Sequence, residues 1–359
     1  MIHRDSYLKR LEARLSAGER VSGEDALALF ESKDILGIGY LADGLRRKRA
    51  GEIVTFVGNY HICYTNICKN NCRYCIFRRN PEAEDAFTLN LEEIEKLAEE
   101  SKKLEVPEIL LFGGIHPGLK LDFFISALQK IKQRVPAVKI LGFSPIEIDY
   151  FCKSEQASAD EVFLALKSAG LSAITGGGAE IFSPRIRKRL GCADKIDGAR
   201  WLEIMETAHR RKIYSNASIL YGAGETYQER IEHLLAIRGV QDKTGGFTHF
   251  LPFAFSDKDY PPTTGYDDIK MIAVSRMLLD NFTHIRAYWS HLGLSGAQLA
   301  LSFGADDLNG LRQKGRIIHS SGGGSQKAVN KSFMLEIIRE AGRIPAERDI
   351  LFNLIKVYD

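Results

Sequence analysis

The sequence predicts an α/β fold: a (βα) barrel of the TIM type, complete or nearly complete, with N-terminal and C-terminal helical extensions. Three observations predict it. From Ile53 onward, short apolar or alternating runs are each followed by an amphipathic helical pattern, seven times in strict alternation, and such alternation implies a parallel sheet. Glycines gather where those runs end, at Gly113 and Gly114, at Gly176, Gly177 and Gly178, and at Gly222. Ligands bind at that end of parallel α/β folds, and glycine lets backbone approach them. Finally, no low-complexity linker divides the chain. A doubly wound open sheet is the alternative, and the count of units favours the barrel.

The elements follow in order. Residues 1–50 read as helical: "SGEDALALF" opens on Ser22 with Asp25 three residues on, a capping-box arrangement, and "ILGIGYLADGLRRKRAG" stops at Gly51. "IVTFVGNYHIC" is the first strand, ahead of a cysteine-rich loop and "LEEIEKLAEESKKL". "EILLFGG" precedes "LDFFISALQKIKQRV", and "VKILGFSPIEI" precedes "ADEVFLALKSAG". "SAITGGGAEIF" precedes "ARWLEIMETAHRRK", and "YSNASILYG" precedes "TYQERIEHLLAIRGVQ". "HFLPFAF" and "HIRAYW" precede "DDIKMIAVSRMLLDN" and "GAQLALSF". "KAVNKSFMLEIIREAG" and "ERDILFNLIKVY" read as closing helices. The expected organisation is a helical extension (1–50), a barrel core (51–310) and a helical closing segment (311–359).

Composition bounds the partners. The 359 residues are 45% hydrophobic and 26% charged, ordinary for a soluble domain with a large core. A net charge of +3 makes no case for nucleic acid or membrane. No segment is apolar enough to span a bilayer, and the charged N-terminus lacks the apolar centre of a secretory signal, so a cytoplasmic protein is expected. Six cysteines in a chain this long are no disulfide scaffold. Cys63, Cys68, Cys72 and Cys75 cluster, whereas Cys152 and Cys192 stand apart and read as packing or surface thiols.

Strand side chains alternate faces. Asn59, His61 and Cys63 therefore share one face of the first strand, and His284, Arg286 and Tyr288 share one face of the last. Covering helices want apolar partners, so the polar faces are assigned to the lumen, where buried polar groups imply a binding cavity. The dense positive charge of "RIRKRLG" (185–191) reads as a solvated face.

"CKNNCRYC" places Cys68, Cys72 and Cys75 in a C-x3-C-x2-C loop directly after the first strand. Clustered thiolates suit zinc, copper(I) or iron–sulfur. A structural zinc site takes four ligands, usually as two separated pairs. No second C-x2-C pair exists here, and Cys63 on the strand is awkwardly placed as a fourth ligand. Three thiolates on a [4Fe–4S] cluster instead leave one iron open, able to chelate the amino and carboxylate groups of S-adenosylmethionine. A zinc-stabilised binding module is the non-enzyme alternative.

With Tyr74 before the last cysteine, this loop resembles that of the radical S-adenosylmethionine superfamily. "FGG" (112–114) falls where that family's glycine pair, here Gly113 and Gly114, meets the methionyl amine, and "SILYGAGE" (218–225), with Tyr221, resembles its adenine-contact segment. "HICYTNICKNNCRYCIF", "GGIHP", "GGGAEIF", "SNASILYG", "DKTGGF", "HIRAYW" and "FGADDLNG" are similar to the aminofutalosine synthases of the futalosine route to menaquinone, from about residue 50 to about 320. The sister dehypoxanthine futalosine cyclases share "GGGAEI", while "HIRAYW" and "ADDLNG" fit the synthases better. The resemblance implies a [4Fe–4S] cluster, S-adenosylmethionine as co-substrate and a one-electron reductant such as flavodoxin or ferredoxin. It implies addition of the 5′-deoxyadenosyl radical to a small aromatic enol ether, the enolpyruvyl ether of 3-hydroxybenzoate. Rearrangement and loss of a carboxylate then give 6-amino-6-deoxyfutalosine. On this footing Arg286 binds an acceptor carboxylate bidentately, and His61, His116, Asn216 and Tyr288 supply further polar contacts. Glu180 accepts from the ribose hydroxyls, and Glu147 does likewise or binds the methionyl amine. The chain departs from the family's pattern at Cys63, Ala223, Gly224, Ser256 and "GFSPIEI", all near the expected mouth, and these departures bear on the acceptor.

Overall fold

The computed structural model describes residues 6–75, 78–255, 261–311 and 329–359. Three helices come first: α1 (Ser6–Ser16), α2 (Gly23–Glu31) and α3 (Ile35–Ala50). The capping box of α2 is formed, with the Asp25 N–H donating to Ser22 Oγ at 3.1 Å and the Ser22 N–H to Asp25 Oδ2 at 2.9 Å. Gly51 ends α3 at φ 58°, a left-handed conformation that glycine takes without strain.

The barrel then runs β1 (Ile53–Cys63), α4 (Leu91–Lys102), β2 (Glu108–Phe112), α5 (Leu121–Arg134), β3 (Lys139–Gly142), α6 (Pro145–Glu155), α7 (Ala159–Ala169) and β4 (Leu171–Ile174). It continues through α8 (Pro184–Arg189), α9 (Gly198–Arg210), β5 (Tyr214–Tyr221), α10 (Tyr227–Thr244), β6 (Phe247–Ala254), α11 (Gly265–Leu278), β7 (His284–Ile285), α12 (Trp289–Ala300) and β8 (Asp307–Leu311). Each strand from β1 to β7 pairs in parallel with the next. β8 pairs in parallel with β1, and a bridge between Arg286 and Asp307 joins it to the end of β7, so the strands come round on themselves. The helices bury their apolar stripes on the outside of this sheet. In α4, for example, Ile94 and Ala98 are fully buried, and an isoleucine taken out of water is worth about 1.5–3 kcal/mol.

Four readings change. "HIRAYW" is a strand only at His284 and Ile285. Beyond them the Arg286 N–H donates to Phe250 O and the Ala287 N–H to Asp307 O, so the chain crosses from the β6 side to the β8 side and enters α12 at Trp289. "SPIEI" is not a strand end: Pro145 opens α6, with Ser144 as its cap and Glu147 at the third helical position. "DDLNG", unassigned from the sequence, forms most of β8. And "ERDILFNLIKVY" is no helix. After α13 (Lys331–Glu340), the chain forms β9 (Ile344–Arg348), parallel to the first residues of β1, and β10 (Leu354–Val357), antiparallel to β9. This ribbon lies at the start of β1, on the floor of the barrel, opposite the strand ends that carry the cysteine loop.

Candidate active site

The cysteine loop leaves β1 at its mouth end. Its frame comes from Thr65 and Asn66, which tie it to its returning limb. Thr65 Oγ1 donates to Phe87 O at 2.7 Å, and Asn66 Nδ2 donates to Asp85 O while its Oδ1 accepts from the Phe87 N–H, both at 2.8 Å. Cys68 Sγ accepts a hydrogen bond from the Ile115 N–H at 3.3 Å. Gly113 and Gly114 run directly beneath. A Cβ on Gly114 would lie 2.3 Å from Ile67 O and 2.8 Å from Cys68 Cβ, and one on Gly113 would lie 2.6 Å from the Tyr64 ring. Those contacts leave room for glycine only.

Cys72 is buried, and Cys68 and Cys75 are half-buried. Burial pushes the Cys72 thiol up, and the nearby Lys195 ammonium partly offsets that. Cys72 lies within electrostatic reach of Cys68, and Cys75 within that of Cys63. Among the described residues no three His, Cys, Asp or Glu side chains meet at one point close enough to hold a metal ion. The donor set still fits an iron–sulfur cluster: soft sulfur ligands on one short loop, an N–H already directed at sulfur, and a glycine floor that admits no side chain. Cys63 faces elsewhere, its Sγ donating to Thr65 O at 3.6 Å, and burial raises it to about 12.

Two buried carboxylates brace the loop. Tyr74 Oη donates to Glu180, which also accepts from Lys195 Nζ at 2.8 Å and Arg187 Nη1 at 3.3 Å. Burial pushes the Glu180 carboxyl up, yet Lys195 and Arg187 outweigh it and hold it below the usual carboxylate range. Glu147 accepts from Tyr64 Oη at 2.6 Å and from the Ser144 N–H and hydroxyl. Burial raises this carboxyl, and the bonds from Tyr64 and Ser144 partly offset the rise. Arg187 corrects the reading of "RIRKRLG" as a wholly solvated face. Its guanidinium is buried and also donates to Ala179 O and Ile196 O, while Arg185, Lys188 and Arg189 are exposed. Cys152 and Cys192 are both buried.

The remaining expected site residues are dispersed. Tyr221 turns its hydroxyl outward to Asp268 on α11 at 2.8 Å, so its ring packs beneath the helices. The turn after it is folded by Glu225, whose carboxylate accepts from the Gly222 and Ala223 N–H groups at 2.6 and 2.8 Å and is held by Arg230. Asn216 Oδ1 accepts from the Gly176 N–H at 3.1 Å. His61 lies edge-on to Phe112, and burial lowers it to about 4, so it is neutral at pH 7. Tyr288 packs edge-on to Phe253 and stacks with His291. His116 Nδ1 accepts from the Gly118 N–H within its own turn. Ser256 lies outside the described residues.

Arg286 belongs to a second cluster. Its Nε donates to Asp307 Oδ1, and around this pair stand Glu108 of β2, His249 of β6 and Arg348 of β9. β2 and β7 are not neighbours in the sheet, so side chains from both can meet only inside the barrel. Lys195, Arg187, Glu225, Glu108 and Arg348 were not picked out from the sequence. Glu225 had a signal, since it closes "SILYGAGE"; the others look like any surface charge until the fold brings them inside.

A parallel barrel carrying three thiols on one loop at the mouth of its first strand, over a glycine pair, defines the radical S-adenosylmethionine class. Comparison with known proteins agrees. The family model for the Radical SAM superfamily matches residues 62–237, and that for the CofH/MqnC C-terminal region matches residues 244–358. The chain is 36% identical to the aminodeoxyfutalosine synthase of Thermus thermophilus over 367 residues, covering 99% of this chain and 98% of that one. It is 34% identical to the cyclic dehypoxanthine futalosine synthase of Streptomyces coelicolor, over 96% of this chain and 88% of that one. It is also 36% identical to the 5-amino-6-(D-ribitylamino)uracil–L-tyrosine 4-hydroxyphenyl transferase of Methanopyrus kandleri, over 87% of each. Among solved structures, methylornithine synthase superposes with a TM-score of 0.71 at 17% identity, over 92% of this chain and 95% of that one, which bears on the fold alone. The chain belongs to the radical S-adenosylmethionine superfamily, in the aminofutalosine synthase family. It is an enzyme, and its family implies a [4Fe–4S] cluster and S-adenosylmethionine. No helix among the described residues is long and apolar enough to cross a membrane.

Proposed function

We propose that this protein is an aminodeoxyfutalosine synthase. It would join the 5′-deoxyadenosyl carbon to the vinyl carbon of the enolpyruvyl ether of 3-hydroxybenzoate, with rearrangement and decarboxylation to 6-amino-6-deoxyfutalosine. The observation that carries this reading is the 36% identity to the Thermus thermophilus enzyme across essentially the whole of both chains. When bound, the cluster and S-adenosylmethionine supply one electron and the adenosyl radical.

The chain's own residues have distinct tasks in this reading. Cys68, Cys72 and Cys75 hold the cluster. Gly113 and Gly114 keep the loop close to β2 and open to the methionyl group. Glu180 holds Tyr74, and so the loop, in place. Glu147 does the same through Tyr64, which leaves neither carboxylate idle for the ribose. The turn after Tyr221 presents backbone to the adenine. Arg286 meets an acceptor carboxylate. Asn216 and neutral His61 add polar contacts that move no proton at pH 7, and the Tyr288 ring packs on the aromatic acceptor. A reductant of the flavodoxin or ferredoxin kind delivers the electron, and neither nucleic acid nor membrane takes part.

The 34% identity to a cyclase supports a second reading, in which dehypoxanthine futalosine is cyclised. Product analysis separates the two. Reduced, reconstituted enzyme given S-adenosylmethionine and the enolpyruvyl ether is expected to yield the adenosylated adduct with little free 5′-deoxyadenosine. No adduct from the enol ether, with 5′-deoxyadenosine released stoichiometrically from S-adenosylmethionine when dehypoxanthine futalosine is supplied, sinks the synthase reading in favour of the cyclase. A colourless protein holding one zinc and no sulfide sinks both.

A further inference from the structure

Asp307, on the lumen side of β8, is fully buried and its carboxylate is committed on every side. Oδ1 accepts from Arg286 Nε and from the Asn309 N–H at 3.0 Å. Oδ2 accepts from Thr55 Oγ1 at 2.8 Å and Arg348 Nε at 2.9 Å. Such a carboxylate cannot rotate, so the two guanidinium groups it holds are fixed relative to each other. Arg348, the last residue of β9, is 1% exposed. Its guanidinium lies 4.1 Å from the Phe352 ring centre, and that ring stacks on His284 at 4.0 Å with an interplanar angle of 11°. The turn between β9 and β10 thus enters the barrel floor as a plug that carries one cation.

We infer that Arg348 is a positioning residue for Arg286: through the shared Asp307 carboxylate it sets the direction and charge with which Arg286 faces an anionic group of the acceptor. Two observations carry this. The first is charge. A lone Arg286–Asp307 pair would be neutral, its guanidinium spent on the protein's own carboxylate. Dividing one carboxylate between two guanidinium groups leaves one positive charge over, and the next carboxyl, Glu108, stands off at 3.8 Å from Arg348 Nη1 and is pushed up by burial against the pull of Arg348 and Arg286. The second is unspent valence. His249 Nε2 is buried without a hydrogen-bond partner, while Arg348 Nη2 lies 2.9 Å from Asp307 Oδ2 and Glu108 Oε2 has only a distant ion contact, 3.8 Å from Arg348 Nη1. A buried polar atom left unpaired is costly, which marks the floor beside His249 as built to meet a further polar group. A packing role for the ribbon alone would require neither feature.

The inference rests on reading Arg286 as the acceptor's partner, and its test keeps the two apart. KM for S-adenosylmethionine, KM for the acceptor and kcat are measured on reconstituted enzyme for wild type, Arg348→Met, Arg286→Met and the double variant. The acceptor used is whichever of the enol ether and dehypoxanthine futalosine the wild type turns over, so failure of the synthase reading leaves this cycle intact. Arg348→Met is expected to raise the acceptor KM by roughly tenfold, the size of one lost charge-assisted contact. The KM for S-adenosylmethionine should stay within about twofold and the double variant should add little to Arg286→Met, as for residues acting as one unit. Arg348→Lys keeps the charge and loses the fork, so it should show the same acceptor-only change at a smaller size even if the methionine variant folds poorly. An unchanged acceptor KM in Arg348→Lys and Arg348→Met overturns the proposal. So do fully additive losses in the double variant, or equal rises in both KM values.

Discussion

The mouth and the floor of the barrel handle polar groups in opposite ways. At the mouth, Asn66 and Thr65 bond to partners 19 to 23 residues away, and the three thiols sit within eight residues of one another. Ligands of one cofactor must converge, and a short loop is the cheapest way to converge them. At the floor, Asp307 collects donors 21, 41 and 252 residues distant, from just past β7, from β9 and from β1. The mouth gathers its sulfurs on one short loop where a ligand can meet all three, whereas the floor ties charged groups from distant segments to one carboxylate. Chemistry should therefore fail when the mouth is cut, and orientation or stability should fail when buried ion pairs are cut.

The largest effect is expected at the thiols. Cys72→Ala removes one of three cluster ligands, and anaerobic reconstitution should yield well under the about four irons and four sulfides per chain of an intact cluster. Cleavage of S-adenosylmethionine should fall to background while the fold survives, because Cys72 is one small buried side chain among many. Full iron loading of this variant would place the cluster elsewhere.

Next comes the brace behind that loop. Glu180→Gln leaves Lys195 and Arg187 buried over a neutral acceptor, and removing one member of a buried ion pair costs about 3 kcal/mol. Urea denaturation should read that loss, and iron retention during dilution should shorten with it. An unchanged midpoint would show that Tyr74 and its neighbours hold the loop without the charge.

How far each end was legible follows from the same contrast. The strand–helix alternation and the thiol spacing are local patterns, and both appear in the sequence as they do in the fold. β8 was not visible, because "DLNGL" mixes charge, amide and glycine and becomes a strand only by pairing with β1. The final ribbon was misread because "ILFNLIKVY" has apolar spacing that suits a helix or a strand, and its state is decided by β10 pairing with β9, which is itself laid on β1 from the far end of the chain. Lys195 and Arg187 carry no signal of their own; burial and Glu180 give them meaning.

A pH titration probes the floor side from outside the lumen. His209 bonds Ser215 Oγ at the start of β5 at 2.9 Å, and burial lowers its pKa to about 4. The unfolded chain takes up this proton near pH 6.5 and the folded one does not. Stability contributed by neutral His209 is therefore present above about pH 6.5 and is lost as pH falls toward 4. At pH 5 the loss is on the order of 2 kcal/mol. His209→Gln should show a correspondingly shallower fall in urea stability between pH 7 and pH 5. Parallel curves for the two proteins would mean that His209 is protonated equally in both states.

The smallest effect is expected at Cys63, and it tests where the mouth ends. This thiol lies five residues before Cys68 and within electrostatic reach of Cys75, so proximity alone would admit it as a fourth ligand. Its geometry argues otherwise. It sits on β1 opposite Phe112, is buried, and its S–H is taken by Thr65 O at the base of the loop. A fourth thiolate would also close the iron that S-adenosylmethionine needs. Serine keeps a donor for Thr65 O in nearly the same volume, so Cys63→Ser should cost less than about 1.5 kcal/mol. It should load iron and sulfide like the wild type and cleave S-adenosylmethionine at a similar rate, with any change confined to the acceptor KM. Iron loading that falls as far as it does in Cys72→Ala would make Cys63 a ligand and remove the open coordination position on which the radical chemistry depends.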